Sequence, residues 1–457
     1  MIRLLILLLL VAVAATLAAW FADNPGQVAI DWLGYRAQTS VAAIAFLLAA
    51  LFFAGMALQR LVTLLRRDLP FSKEKRDRRR EARGYFALNR AMVALAADDR
   101  RQAGKLTAKA ARLLPPQPLT HIMAAEAAKL AEDRPAALSH YRALAEDREA
   151  AFLGLRGLVN EAMAGSREEE ARRLAREAVD LRPESGWALR TLFALDVAAA
   201  DWAAALETLA RARKAGAFER KAADRHRAAL LYCLAVDSDL AGKADEAARL
   251  ARESLKLRPG FVPAAVLAVR LDRAAGNRKR AERLLRAAWR ESPHPALLEV
   301  HEALEPSETP HARFKRVQEL VFERREHLES RLAEAAAALA AERRDIAREA
   351  LQPLREAGDG RAYRLLAALA DSEDDREMAA QWRARAAECL DGPAWICNGC
   401  GARREKWTPL CAACGRFDSY DWQNRRLLSM PHPPTGDGGL TLLEASPGPK
   451  KAAVEKD

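Results

Sequence analysis

Two patterns of apolar positions divide the chain. In the first sixty residues apolar side chains run without a break, from Leu4 to Phe21 (Thr16 apart) and again from Val41 to Leu58. Each run has 18 residues, which as a helix is about enough to cross the roughly 30 Å hydrocarbon layer of a membrane. A 19-residue polar connector with Trp32 and Tyr35 joins them, and Trp20 closes the first run. Such rings favour the headgroup level. The pattern predicts two transmembrane helices, about 4–21 and 41–58, within a membrane region 1–59. A cleaved signal peptide fits residues 1–21 poorly, since the n-region is a single Arg3 and no small-x-small site follows.

Beyond residue 84 the pattern becomes periodic. Alanines that follow a short polar turn recur at Ala103, Ala137, Ala171, Ala205, Ala247 and Ala281, with spacings of 34, 34, 34, 42 and 34. Seven positions later comes another small residue at Ala110, Ala178, Ala212, Ser254 and Ala288. Proline follows twelve positions after four of them, at Pro115, Pro183, Pro259 and Pro293. A helix pair accounts for this. The first small residue lets the second helix approach the first, and the next lies on the same face two turns on. Proline then ends the unit. One pair cannot cover its own apolar face, so successive pairs stack.

The expected fold is therefore all-α: a membrane hairpin, then a tetratricopeptide-type solenoid over residues 85–391. Fainter units continue around Ala347 and Ala379. The eight extra residues between Ala205 and Ala247 predict a longer connection near 214–224, and the Pro- and His-rich stretch 292–312 predicts a break. Solenoids of this class hold partner proteins on the first helices of their pairs. A clamp for a chaperone's terminal carboxylate is excluded, because Leu88, Met92 and Met123 stand where Lys and Asn are needed.

Composition and charge refine the picture. Aromatics make up only 6% of the 457 residues, which argues against an all-β fold. The formal charge is +11. Ten Lys/Arg against four acids fall in residues 60–83, so +6 of that excess sits in a neck, residues 60–84, directly after the second apolar run. A nucleic-acid surface is not indicated. Arg66, Arg67, Lys73, Lys75, Arg76, Arg78, Arg79 and Arg80 are candidates for contact with anionic headgroups. By the positive-inside rule the neck, and everything after it, is expected in the cytoplasm.

The strongest chemical signal is Trp395-Ile396-Cys397-Asn398-Gly399-Cys400-Gly401, followed by Cys411-Ala412-Ala413-Cys414-Gly415. Two C-x2-C turns can set Cys397, Cys400, Cys411 and Cys414 as a tetrahedron around one metal ion, zinc or, as in rubredoxin-type sites, iron. A shell of four thiolates leaves no open position, so the metal is expected to be structural. The knuckle is placed at 395–422, and the Pro- and Gly-rich tail 423–457 is expected to be disordered. No phosphate-binding, nucleophile-elbow, zinc-protease or dinucleotide motif is present, and no acid, base or nucleophile assembles, so the chain reads as a non-enzyme. His294, His301 and His311 offer haem ligands in principle, but nothing in their pattern indicates haem.

The segment Asn24-Pro25-Gly26, Val28, Ile30, Trp32, Gly34-Tyr35 and Ser40, with the apolar runs on either side, resembles the N-terminal region of the HemY family. These are tetratricopeptide proteins of the proteobacterial inner membrane, linked with haem biosynthesis. The resemblance implies a multi-pass inner-membrane scaffold whose partners are late haem-pathway enzymes. The knuckle is similar to the rubredoxin-like end of the LapB family, membrane-anchored proteins with a single span that regulate lipopolysaccharide synthesis. Alternatives left open are a LapB-like scaffold in envelope quality control and an electron-transfer protein with iron in the knuckle.

Overall fold

The computed structural model describes residues 26–32, 35–68, 73–389 and 392–423, together with isolated positions between 12 and 23. The first predicted span lies mostly outside these residues, and the tail after Gln423 lies wholly outside them. The chain divides into two compact units, Met1–Thr120 and His121–Asp457.

In the first unit the predicted connector forms an antiparallel hairpin, β1 (Gln27–Trp32) with β2 (Tyr35–Ser40), in a register that sets Trp32 opposite Tyr35. The Val41 N–H donates to Gly26 O at 2.9 Å, tying the hairpin to the helix that follows. That helix, α1 (Val41–Asp68), runs ten residues past the predicted span. Its apolar portion, Val41–Thr63, has 23 residues, none of them buried within the protein. At 1.5 Å per residue it spans about 34 Å, enough for a bilayer. Phe46, Leu47, Leu48, Leu51, Phe52 and Phe53 all project outward, an arrangement that water would penalise and acyl chains would not. After it come α2 (Lys73–Ala96) and α3 (Arg100–Leu113), which pack together as a helix pair.

The second unit repeats that pair. Its helices are α4 (Pro118–Leu130), which begins at the boundary, α5 (Arg134–Glu146), α6 (Ala151–Ala164), α7 (Glu168–Leu181), α8 (Gly186–Ala198) and α9 (Trp202–Lys214). Then follow α10 (Arg220–Leu240), α11 (Ala244–Leu257), α12 (Val262–Ala274), α13 (Arg278–Glu291), α14 (Pro295–Leu304) and α15 (Pro310–Val321). The array ends with α16 (Leu328–Ala340), α17 (Arg344–Leu351), α18 (Gly360–Ser372) and α19 (Arg376–Glu388). This is a tetratricopeptide-type solenoid. Ala137, Ala171, Ala205, Ala247 and Ala281 are fully enclosed, as are Ala347 and Ala379 of the fainter units.

A local device turns seven of the eight pairs, all but α14 and α15. The last residue before the second helix's cap takes a left-handed conformation at Glu132, Ser166, Ala200, Gly242, Gly276, Glu342 and Asp374. Backbone bonds such as Asp201 N–H to Asp196 O (3.0 Å) and Ala200 N–H to Val197 O (3.0 Å) close the preceding helix in the Schellman manner. In three of these turns aspartate then caps the second helix, at Asp133, Asp201 and Asp375. Asp133 accepts from Ala136 N–H at 3.0 Å and Asp201 from Ala204 N–H at 3.1 Å, satisfying donors that a helix start leaves bare. Between pairs, buried Asp196 accepts from Arg172 of the preceding second helix at 2.7 Å and from the Thr208 hydroxyl at 2.8 Å. Asp272 repeats the arrangement with Arg252 (2.8 Å) and Arg280 (3.0 Å).

Two expectations change. The eight extra residues do not lengthen a connection: Gly216, at φ 70°, ends α9, and the insertion extends α10 to 21 residues. No helix breaker stands between Arg220 and Leu240, so the added residues continue the helix. Residues 292–312 hold α14 and the start of α15 where a break was expected. Pro295 and Pro310 occupy first-turn positions, where the missing N–H costs nothing, with His294 and Thr309 as caps, and Pro293 and Pro306 fall in the connections.

Candidate metal centre

A three-stranded sheet follows the array, ordered β4 (Arg403–Arg404), β3 (Ala394–Cys397), β5 (Tyr420–Gln423), all antiparallel. It carries two tight turns. Gly401 N–H donates to Cys397 O and Gly415 N–H to Cys411 O, each at 2.8 Å, with φ of 74° and 68° at the two glycines. A side chain there would meet the left-handed penalty, which explains glycine after the second cysteine of each pair.

The turns bring four sulfurs together, every pair of which lies within 4.8 Å. Cys397 Sγ stands 3.7 Å from Cys414 Sγ, and Cys400 Sγ 3.6 Å from Cys411 Sγ. A tetrahedron with metal–sulfur bonds of about 2.3 Å has edges of about 3.8 Å, whereas a disulfide needs about 2.05 Å. The cluster therefore fits a metal and is not disulfide-bonded. Gly399 N–H points at Cys397 Sγ (3.4 Å), and the Ser419 hydroxyl lies 3.2 Å from it. Burial, and then the facing thiols of Cys400, Cys411 and Cys397, push the Cys414 thiol up to about 12, against a backbone N–H of Arg416. Four thiolates this close repel one another, and a bound cation would compensate their charge. Cys397 and Cys411 are buried while Cys400 is exposed, so one edge of the cluster meets solvent.

The knuckle sits against the array. Asp418, four residues past Cys414, is fully buried, and its N–H donates to Pro409 O at 2.8 Å. Its carboxylate accepts from Arg225 Nε and from an Arg258 guanidinium nitrogen, each at 3.1 Å, with His226 Nδ1 3.8 Å away. Asp421 takes a second Arg225 nitrogen at 3.1 Å. Burial would raise the Asp418 pKa, but the imidazole and the two guanidiniums outweigh it and hold the carboxyl below the usual range. Aromatic contacts surround this charge cluster. Phe417 packs edge-on to Phe193 and tilted against His226; Trp407 meets Tyr232 and Phe261; Trp395 and Trp422 enclose His294. Phe193, Arg225, His226, Tyr232, Phe261 and His294 belong to the first helices of four successive pairs or to their N-caps, and Arg258 is the C-cap of α11.

Of the basic neck, Arg76, Arg78, Arg79 and Arg80 are exposed on α2, and Arg80 donates to Arg112 O at 2.7 Å. Arg66 and Arg67 fall in α1 and Lys73 and Lys75 in α2, their side chains outside the described set. His294 and His301 are buried and His311 exposed, so they do not form a common site. Arg225, His226, Arg258 and Asp418 went unrecognised in the sequence; the only hint was the insertion that lengthens α10.

Residues 26–132 match the family model described as HemY protein N-terminus. The chain is 27% identical over 444 residues to the probable magnetosome protein Mms48 of Magnetospirillum gryphiswaldense, covering 92% of this chain and 93% of that one. Among solved structures, Naa15/Naa10 bound to HypK matches with a TM-score of 0.45 at 13% identity, over 72% of this chain and 51% of that one, so this chain spans about half its length. A tetratricopeptide repeat protein from Parabacteroides merdae matches with a TM-score of 0.26 at 14% identity, over 53% of this chain and 94% of that one. The apolar helix, the repeated pairs and the matched N-terminal region together describe a membrane-associated tetratricopeptide scaffold whose residues 26–132 are similar to the HemY N-terminus.

Proposed function

We propose that this protein is a cytoplasmic-facing scaffold of the inner membrane that gathers partner proteins at the lipid surface and assists a late step of protohaem synthesis. The observation that carries the scaffold reading is the array itself. Eight helix pairs in the second unit present first helices side by side, with the enclosed alanines holding them at close spacing. The similarity to the HemY N-terminus supports the haem assignment. The exposed arginines at the start of α2 support a cytoplasmic, headgroup-contacting neck. A multi-pass topology follows if residues 4–21 form the first span.

The four-cysteine knuckle holds zinc in this reading, as a closed structural site that folds a segment too short for a core of its own. Iron remains the rival, and colour separates them: zinc leaves the purified protein colourless, whereas an iron–tetrathiolate centre absorbs in the visible.

Crosslinked affinity purification of the full chain from membranes tests the function. Late haem-pathway enzymes are expected among the recovered proteins. Their absence, together with normal haem content in a deletion strain, would overturn the assignment. A second reading rests on Mms48, whose similarity extends over nearly the whole chain: a scaffold of a specialised membrane compartment. Recovery of compartment-forming membrane proteins in place of haem enzymes favours it.

A further inference from the structure

We propose that the first-helix face around Arg225, His226 and Arg258 is a receptor for an aromatic–acidic peptide, and that the metal-folded knuckle is its occupant in cis, released when the metal leaves. The inference rests on the metal reading of the four cysteines and goes beyond it by giving the site a ligand class and a gate.

The face has the chemistry of a peptide site. Two guanidiniums and an imidazole converge on one carboxylate, flanked on one side by Phe193 and Phe218 and on the other by Tyr232 and Phe261. Arg258 also lies over the Phe261 ring, 4.7 Å from its centroid. Removing Asp418 and Asp421 would leave Arg225 and Arg258 on an aromatic floor with their acidic partners gone. Such a surface selects a ligand with an aromatic residue followed at once by aspartate and by a second acid three positions on, as in Phe417-Asp418-Ser419-Tyr420-Asp421.

The occupant's geometry depends on the metal turns. Asp418 adopts φ 45°, a strained setting for a residue with a side chain, and is held there by Pro409 O. Asn398 N–H bonds Ser419 O at 2.8 Å, and the Asn398 amide bonds Asp421 at 2.7 Å, so both acids are positioned from the first cysteine turn. Phe417, Trp407 and Trp395 of the knuckle pack against the array, which leaves it little interior of its own. Without metal the two turns lose their common anchor, and the aspartates lose their placement.

The test uses the full chain in detergent, with its metal content measured first. The probe is a fluorescent peptide of residues 416–422 closed head to tail, so that its two aspartates are held in place without a metal. Metal-loaded protein is expected to bind it at least ten-fold more weakly than protein stripped by chelation, and amides of 220–232 are expected to exchange faster after stripping. Asp418→Asn, which keeps all four cysteines, is expected to open the face with one metal still bound. Arg225→Glu is expected to abolish peptide binding in the stripped protein. Equal peptide binding before and after stripping, unchanged exchange over 220–232, or binding that survives Arg225→Glu would each overturn the inference. Protein that never carries a metal overturns the metal reading instead, so the two failures are distinguishable.

Discussion

Arg225 on the lengthened helix α10 and Asp418 in the knuckle, 193 residues apart in sequence, form a hydrogen-bonded ion pair of 3.1 Å in which the carboxylate is fully buried. Breaking one side of such a pair leaves a charge without compensation. Asp418→Ala is therefore expected to destabilise the knuckle–array contact by about 3 kcal/mol, and Arg225→Ala by less because Arg258 remains. A double-mutant cycle on the two residues, followed by denaturant unfolding, is expected to give a coupling of at least about 1 kcal/mol. Additive effects would show that the pair contributes little.

Loss of one sulfur should uncouple the knuckle from the solenoid. Cys411→Ser is expected to abolish stoichiometric metal binding, measured by elemental analysis, while far-UV circular dichroism stays near the parent value. The reason is structural: the helices close on each other through alanine contacts and caps that do not involve the sheet. A collapse of helical signal would contradict this separation.

Two alanines of α9, two positions apart, make a paired test of the repeat. Ala205 is fully enclosed between helices and Ala203 is exposed. Ala205→Leu is expected to cost about 1–3 kcal/mol through overpacking, while Ala203→Leu should fall within about 0.5 kcal/mol of the parent. Asp133→Ala, which removes a cap accepting from Ala136 N–H at 3.0 Å, is expected to cost about 1 kcal/mol. Thermal unfolding ranks the three.

The fold was legible where a short-range rule repeats. Alanine at period 34 fixes which face each second helix buries, because only a small side chain permits that approach, and the enclosed positions are those the period selects. The cysteine spacing was equally readable, since two tight turns define their own geometry. What stayed hidden is long-range. Nothing local to Asp418 announces that its partners lie on α10 and at Arg258. Nor does an eight-residue insertion declare itself as helix rather than loop until Gly216 is seen to end α9 before it. Pro295 and Pro310 misled for a related reason: proline breaks a helix from inside but starts one from its first turn.

Mild acid should weaken the array through buried histidine. Burial, and then the charge of Arg316, depress His301 to about 3; Glu308 opposes them, and Arg286 adds to the depression. Burial and Arg361 bring His294 to about 4. An unfolded histidine takes its proton near about 6.5, so between that pH and the depressed values the unfolded chain binds more protons. Stability is then full above about 6.5 and falls as pH drops, by up to about 1.4 kcal/mol per unit for each histidine. Glu329, raised by burial, acts in the opposite direction, so the informative comparison is His301→Gln against the parent. Urea unfolding at pH 7.5 and pH 5.5 is expected to show a smaller loss in the variant; equal losses would remove His301 as the cause.

A stack of helix pairs ordinarily bends like a spring, because each unit touches only the next. Here Phe193, Arg225, Phe261 and His294, on four consecutive units, are all fastened to one small body. That body acts as a splint across the middle of the spring. Stretching the protein should therefore peel units from its two ends first, leaving the splinted centre as the last element to yield.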